Sequence, residues 1–513
     1  MSVMRTKSIE QSIRDTDEPE HRLKKNLGAL DLVVFGVGVT IGGGLFVLTG
    51  VAAKQYAGPA IALSFVIAAV ACGLAALCYA ELASSVPVAG SAYTFSYATI
   101  GEIVAWIIGW DLMLEFIVGA AAVAGGWSGY LANVLDGTPL EIPASVASAS
   151  DGAINLPAGL LVLALTAVLV IGIKLSSRVN QVAVAIKVAV ALLFVVAGLF
   201  FVKSSNLSPF IPDSAPAQGS GGIKQPLVEV LFGLEPLTYG WGGIVTGAAV
   251  VFFAFIGFDV VATTAEETKN PKKDMPIGIL GSLAVCTALY VTVSLVLTGM
   301  QDYRKIDPTD PAPLSTAFTN IGHDGIANVI AFGAAVGIIV VVMILLLGQS
   351  RVAFAMARDG LLPGVFARVH PSYRTPYVVT ITVGVLVAVL AAFTSIDVLA
   401  ELVNVGTLFA FILVSLGVLF LRRSRPDLER SFRVPLVPVV PIVAALICFY
   451  LMLNLAVETW LRFFVWMLIG LVVYFAYGRR HSRLGRTATQ PTEPSEPSEP
   501  SEPSEPTEPT APH

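Results

Sequence analysis

The chain has 513 residues, 55% hydrophobic and 13% charged, with a mean hydropathy of +0.78. Soluble domains carry about 25% charged residues, so a water-soluble enzyme is excluded, nothing points to nucleic acid, and an integral membrane protein is expected. The formal charge of −5 belongs to the C-terminal tail, where Glu493, Glu496, Glu499, Glu502, Glu505 and Glu508 lie beyond the last apolar segment.

In chain order, residues 1–28 read as a polar, basic cytoplasmic lead without a cleavable signal. One membrane domain then covers 29–478, with twelve apolar spans at about 30–53, 58–83, 102–132, 156–174, 179–202, 241–264, 277–299, 326–355, 376–393, 398–421, 435–455 and 459–477. Each is near the roughly 20 residues a spanning helix needs. Most of the 31 Lys and Arg fall on the face of the N-terminus, including Arg422, Arg423, Arg425, Arg430 and Arg433 in one loop. Lys54, Lys203, Lys224, Arg304 and Lys305 fall on the other. The positive-inside rule therefore predicts a cell-membrane protein with both termini cytoplasmic.

Residues 488–513 repeat Ser/Thr-Glu-Pro, a pattern that cannot pack a core and predicts a disordered tail. Cys72, Cys78, Cys286 and Cys448 all fall inside spans at no metal-ligand spacing, so free thiols are expected, with no metal and no cofactor.

Spans one and six are interrupted. Span one carries Gly36, Gly38 and the run Gly42-Gly43-Gly44, preceded by Thr40 and Ile41; span six carries Phe253, Ala254, Phe255, Ile256, Gly257, Phe258 and Asp259. In hydrocarbon, non-helical backbone persists only where it lines a cavity, because lipid satisfies no freed N–H or C=O. A pair of breaks in corresponding helices of two halves points to a transporter's substrate site. The second half of a broken helix offers N–H groups and a positive dipole end, the first half free carbonyls, and a zwitterion complements both. Helix packing through small residues is the alternative for Gly38 and Gly42. A dinucleotide fingerprint is not, since no strand precedes these glycines. With breaks in spans one and six, each half has five helices. An odd number places the halves in opposite orientations, an inverted repeat followed by two extra helices.

Charges inside spans are functional candidates by default. Lys187 lies about nine residues into span five, some 12–14 Å deep at 1.5 Å per residue, and its reversible protonation is the expected coupling step; a static salt bridge to Asp259 or Glu115 is the alternative. Asp111 and Glu115 are four apart in span three and share a helix face. Glu115 either pairs structurally or faces the substrate, which would favour a cationic side chain.

These segments, together with Tyr79–Tyr93, Phe252–Pro276, Gly348–Pro363 and Leu402–Leu408, resemble the amino acid/polyamine/organocation superfamily, specifically the cationic amino acid transporter family, over about residues 25–475. The resemblance implies an all-α fold of five-plus-five inverted helices with two more. It implies substrate between spans one and six, its carboxylate on N–H groups around Gly43 and Gly44. The ammonium would rest on carbonyls around Thr40, Phe253, Ala254 and Ile256, Ile338 would line the pocket, and Lys187 would couple a proton. Relatives often carry a hydroxyl residue where this chain has Gly43, which removes one carboxylate contact.

The reading is an amino acid permease, not an enzyme, that couples import to protons across the lipid bilayer by alternating access. Exchange of amino acids or polyamines, and a transport-deficient receptor, use the same site. The preferred amino acid, the stoichiometry and the oligomeric state are left open.

Overall fold

The computed structural model describes residues 27–85, 91–147, 149, 154–172, 177–217 and 221–484. Residues 1–26 of the lead and the Ser/Thr-Glu-Pro tail lie outside them. The described residues are 78% helical, and the one sheet among them is a two-stranded antiparallel pair, Ala215–Pro216 with Leu237–Thr238.

All twelve spans are present. Span one runs Ala29–Thr40 and resumes from Gly44 to Ala57; span two is Ile61–Ser85, three Glu102–Leu135, four Leu156–Ile171 and five Ser177–Leu199. Span six runs Gly240–Val251, tightens through Phe252–Phe255 and resumes at Asp259–Glu267. Spans seven to twelve are Pro271–Met300, Asp324–Arg358, Tyr377–Phe393, Ile396–Ser424, Val439–Leu453 and Val457–Val473, the last extended by short turns to His481. Among the described residues, eight helical stretches are long and apolar enough to cross a membrane, and four shorter apolar helices accompany them.

Local chemistry explains the ends. In span four the Asn155 side chain accepts from the Ala158 N–H at 3.2 Å, and Gly172 closes the helix at φ +81°, the left-handed conformation that glycine adopts without strain. Span seven begins earlier than the expected 277, at Pro271 behind Asn270. Pro271 sits where an N–H would be unpaired anyway, and the Asp274 carboxylate accepts from the Asn270 N–H at 3.3 Å. Met275-Pro276 thus lies inside the helix; near a helix start Pro276 forfeits a single backbone bond.

Packing repeats with a five-span shift. Span two packs on span seven, three on eight and four on nine. Exchanging the halves turns the contact of span one with seven into that of six with two. The same exchange turns three on ten into eight on five, and five on seven into ten on two. Span eleven leans on spans ten and two, and span twelve on ten and three. Two equivalent five-helix halves of opposite orientation produce this pattern.

The surface is inverted relative to a soluble protein. Leu160 and Leu163 of span four, Leu192, Val196 and Leu199 of span five, Leu446 and Phe449 of span eleven, and Leu461, Phe464 and Leu468 of span twelve are exposed. Such a belt is stable only in hydrocarbon, so this is a multi-pass membrane protein. On the face of the N-terminus, Leu27 pairs with the end of span six through Leu27 N–H to Glu267 O at 3.0 Å and Lys269 N–H to Leu27 O at 2.8 Å. Beside it the buried Glu81 carboxylate of span two accepts from Arg422 Nε at 2.9 Å and Nη2 at 2.6 Å, and from the Val434 N–H at 2.6 Å. On the distal face, Tyr239 N–H donates to Tyr56 O at 2.8 Å, joining span six to the end of span one.

Candidate substrate site

Both sequence-predicted breaks exist, and they touch. The first half of span one ends at Thr40; Ile41 is extended at φ −74°, ψ 98°, and the helix restarts at Gly44. The first turn of a helix leaves its N–H groups unpaired, and those of Gly42, Gly43 and Gly44 have no backbone acceptor among the described residues. In span six, Ile256 is extended and Gly257 takes φ +121° before Asp259 starts the next turn. The Asp259 Oδ1 accepts from the Gly257 N–H at 3.3 Å, folding the first residue of the restart back on the break.

Two glycines are dictated by close approach. A Cβ on Gly44 would overlap the Ala254 backbone. A Cβ on Gly257 would sit 2.8 Å from Val39 Cγ1 and 3.2 Å from the Thr40 N. The breaks are thus pressed together, and the Tyr290 hydroxyl of span seven ties them, lying 2.9 Å from Thr40 O and 2.8 Å from Ala254 O. Its single proton serves one carbonyl at a time. From span ten, Asn404 Nδ2 donates to Ala249 O at 2.9 Å and Val250 O at 3.0 Å, carbonyls at the end of span six's first half.

Lys187 stands behind the first break, fully buried, and its ammonium donates to Gly38 O and, at 3.2 Å, to Ile41 O. No carboxylate lies within ion-pair distance of it among the described residues, so the static salt bridge is not formed. Gly337 of span eight makes room for this side chain, because a Cβ there would overlap Lys187 Cγ.

Between the breaks lies a cavity of ≈ 20 Å³ lined by Val39, Thr40, Gly42, Gly43, Gly44, Gly119, Val123, Phe253, Ile256, Val341 and Leu345. That volume holds about one water, so an amino acid enters only if spans three and eight part from the breaks. Of the sequence-predicted residues, Thr40, Gly42, Gly43, Gly44, Phe253 and Ile256 meet here. Ile41 and Ala254 are buried behind the wall, with carbonyls engaged by Lys187 and Tyr290. Ile338 and Glu115 do not line the cavity; each lies about one turn from a residue that does, Val341 and Gly119. The oxygens of Glu115 and Asp111 have no hydrogen-bond partner among the described residues.

Sequence reasoning missed Gly119, Val123, Val341 and Leu345. Each pair is spaced by four and shares a helix face; Gly119 and Val123 continue the face of Asp111 and Glu115, but spacing does not say at which level along that face the breaks lie. Tyr290 and Asn404 were also missed; a polar side chain mid-span was the available signal.

The sequence profile of the amino acid permease family matches residues 27–475. The chain belongs to the amino acid permease family. This permease is 47% identical over 492 residues to the branched-chain amino acid permease BcaP of Bacillus subtilis, covering 94% of this chain and 99% of that protein. It is 46% identical over 468 residues to the methylthioribose transporter of the same organism, covering 90% and 95%. It is 32% identical over 600 residues to the vacuolar cationic amino acid transporter 4 of Arabidopsis thaliana, covering 94% and 96%. These relatives are transporters, and the permease is not an enzyme.

Proposed function

We propose that this permease imports amino acids with uncharged aliphatic side chains, driven by proton symport through alternating access. The observation that carries the reading is the cavity wall. Opposite the two breaks it consists of Gly119, Val123, Val341 and Leu345, with no charged side chain. An apolar side chain loses little by entering such a wall, whereas a cationic one sheds its hydration without a partner.

The zwitterion's carboxylate faces the N–H groups of Gly42, Gly43 and Gly44, where the helix dipole favours an anion. Its ammonium faces the carbonyls of Thr40, Phe253 and Ile256, the broken-helix residues on the cavity wall. Lys187 is the coupling group. Protonated, it straps the first half of span one through Gly38 O and Ile41 O; deprotonated, it loses the charge that holds those carbonyls, and the half-helix is free to tilt toward release. The basic face that carries the N-terminus is the cytoplasmic one, which places the distal face outside. The name of the BcaP relative accords with an aliphatic substrate.

The test is uptake into proteoliposomes under an inward proton gradient, comparing labelled leucine with labelled arginine. Accumulation of leucine that a protonophore collapses is expected. Accumulation of arginine in preference to leucine would overturn the substrate assignment. Uptake only into vesicles preloaded with amino acid would establish exchange, and binding without flux a receptor.

A further inference from the structure

On the distal face, the segment between spans five and six contains a short helix, Leu227–Phe232, whose polarity is reversed from what water favours. Val230, Leu231 and Phe232 are 48%, 62% and 73% exposed, while the Oε2 atom of their neighbour Glu229 is buried. Leu234, Leu237 and Ile223 extend the exposed apolar surface, and Trp241 at the head of span six is 67% exposed. Apolar residues presented outward in a row are stable against hydrocarbon and unfavourable against water.

The segment's position places it at the membrane boundary. Its backbone is pinned to the turn joining spans eleven and twelve through Leu227 N–H to Leu455 O and Val457 N–H to Gln225 O, both at 3.0 Å. The spans on either side of that turn carry exposed apolar residues within about one turn of it, among them Tyr450 and Leu461. The exposed apolar face is thus anchored at the end of two spans that present apolar side chains outward, and Trp241 is of the residue type enriched at such membrane boundaries.

From this arrangement we infer that residues 223–241 form an interfacial foot whose partner is the lipid of the leaflet on the distal face. The foot lies in the headgroup–acyl boundary rather than in the aqueous phase, as amphipathic surface segments do. It leads straight into the distal gate. Tyr239 is hydrogen-bonded to span one through Tyr56 O and, from its hydroxyl at 2.8 Å, Lys54 O. Movement of the first half of span six then drags a segment held in lipid.

The experiment is site-directed spin labelling of the full-length protein in phosphatidylethanolamine/phosphatidylglycerol vesicles. Phe232→Cys and Leu234→Cys carry the label, with Glu235→Cys as the aqueous reference and the unsubstituted protein, whose four cysteines are buried, as the background. Labels at 232 and 234 are expected to collide more with dissolved oxygen than with a water-soluble nickel chelate, and the label at 235 to show the reverse. Nickel access at 232 and 234 equal to that at 235 would overturn the inference. So would dipolar broadening between labels at 232, which would assign the face to a second copy of the chain.

Discussion

Replacing Lys187 by methionine removes a charge while keeping an unbranched side chain in the space that Gly337 provides. The ammonium donates to Gly38 O and Ile41 O, and hydrogen bonds to charged groups contribute about 1.5–3 kcal/mol each. The variant therefore loses a strap on span one that is large compared with the driving force it transmits. A gradient of one pH unit supplies about 1.4 kcal/mol per proton, or about tenfold accumulation for one proton per substrate. In proteoliposomes, wild-type leucine uptake is expected to reach that ratio and Lys187→Met to stop near unity, while leucine counterflow persists. Accumulation in the variant equal to wild type would refute the coupling role. Loss of counterflow as well, in a folded protein, would make Lys187 a structural strap only.

Gly257→Ala should abolish transport, because φ +121° carries about 1–3 kcal/mol of strain for a side chain and the new Cβ meets Val39 at 2.8 Å; uptake and thermal denaturation both report it, and a fully active variant would contradict the pressed-together breaks. Gly119→Leu should shut out leucine while leaving glycine or alanine uptake measurable, since its side chain would enter the cavity beside Leu345. Unchanged leucine KM in that variant would remove span three from the wall. Asn404→Ala should destabilise the protein by about 1–3 kcal/mol, the penalty for taking the Nδ2 donor from the buried Ala249 carbonyl, while Val250 O keeps the Phe252 N–H; a lowered midpoint of thermal unfolding reads it. Arg422→Ala should cost toward the low end of the about 3–5 kcal/mol seen when one partner of a buried ion pair is removed. Arg430 Nε, 3.5 Å from Glu81, and the Val434 N–H remain to hold the carboxylate.

The amino-acid sequence by itself determined the spans, their number and the two breaks, because each depends on local properties: the length of an apolar run, and the reluctance of glycine to continue a helix. Depth along a span is likewise linear in residue number, so Lys187 could be assigned to the membrane interior before its partners were known. Only the tertiary structure decided which level of each helix face meets the breaks. Asp111, Glu115, Gly119 and Val123 recur every four residues along one face of span three, yet only Gly119 and Val123 line the cavity. In span eight Ile338, Val341 and Leu345 likewise share a face, and the cavity meets the last two. The bonds from Tyr290, Asn404 and Lys187 to broken-helix carbonyls were equally out of reach, since they join residues between 36 and 250 positions apart on different spans. Such contacts arise from packing two opposed five-helix halves together, and a one-dimensional pattern carries no record of that packing.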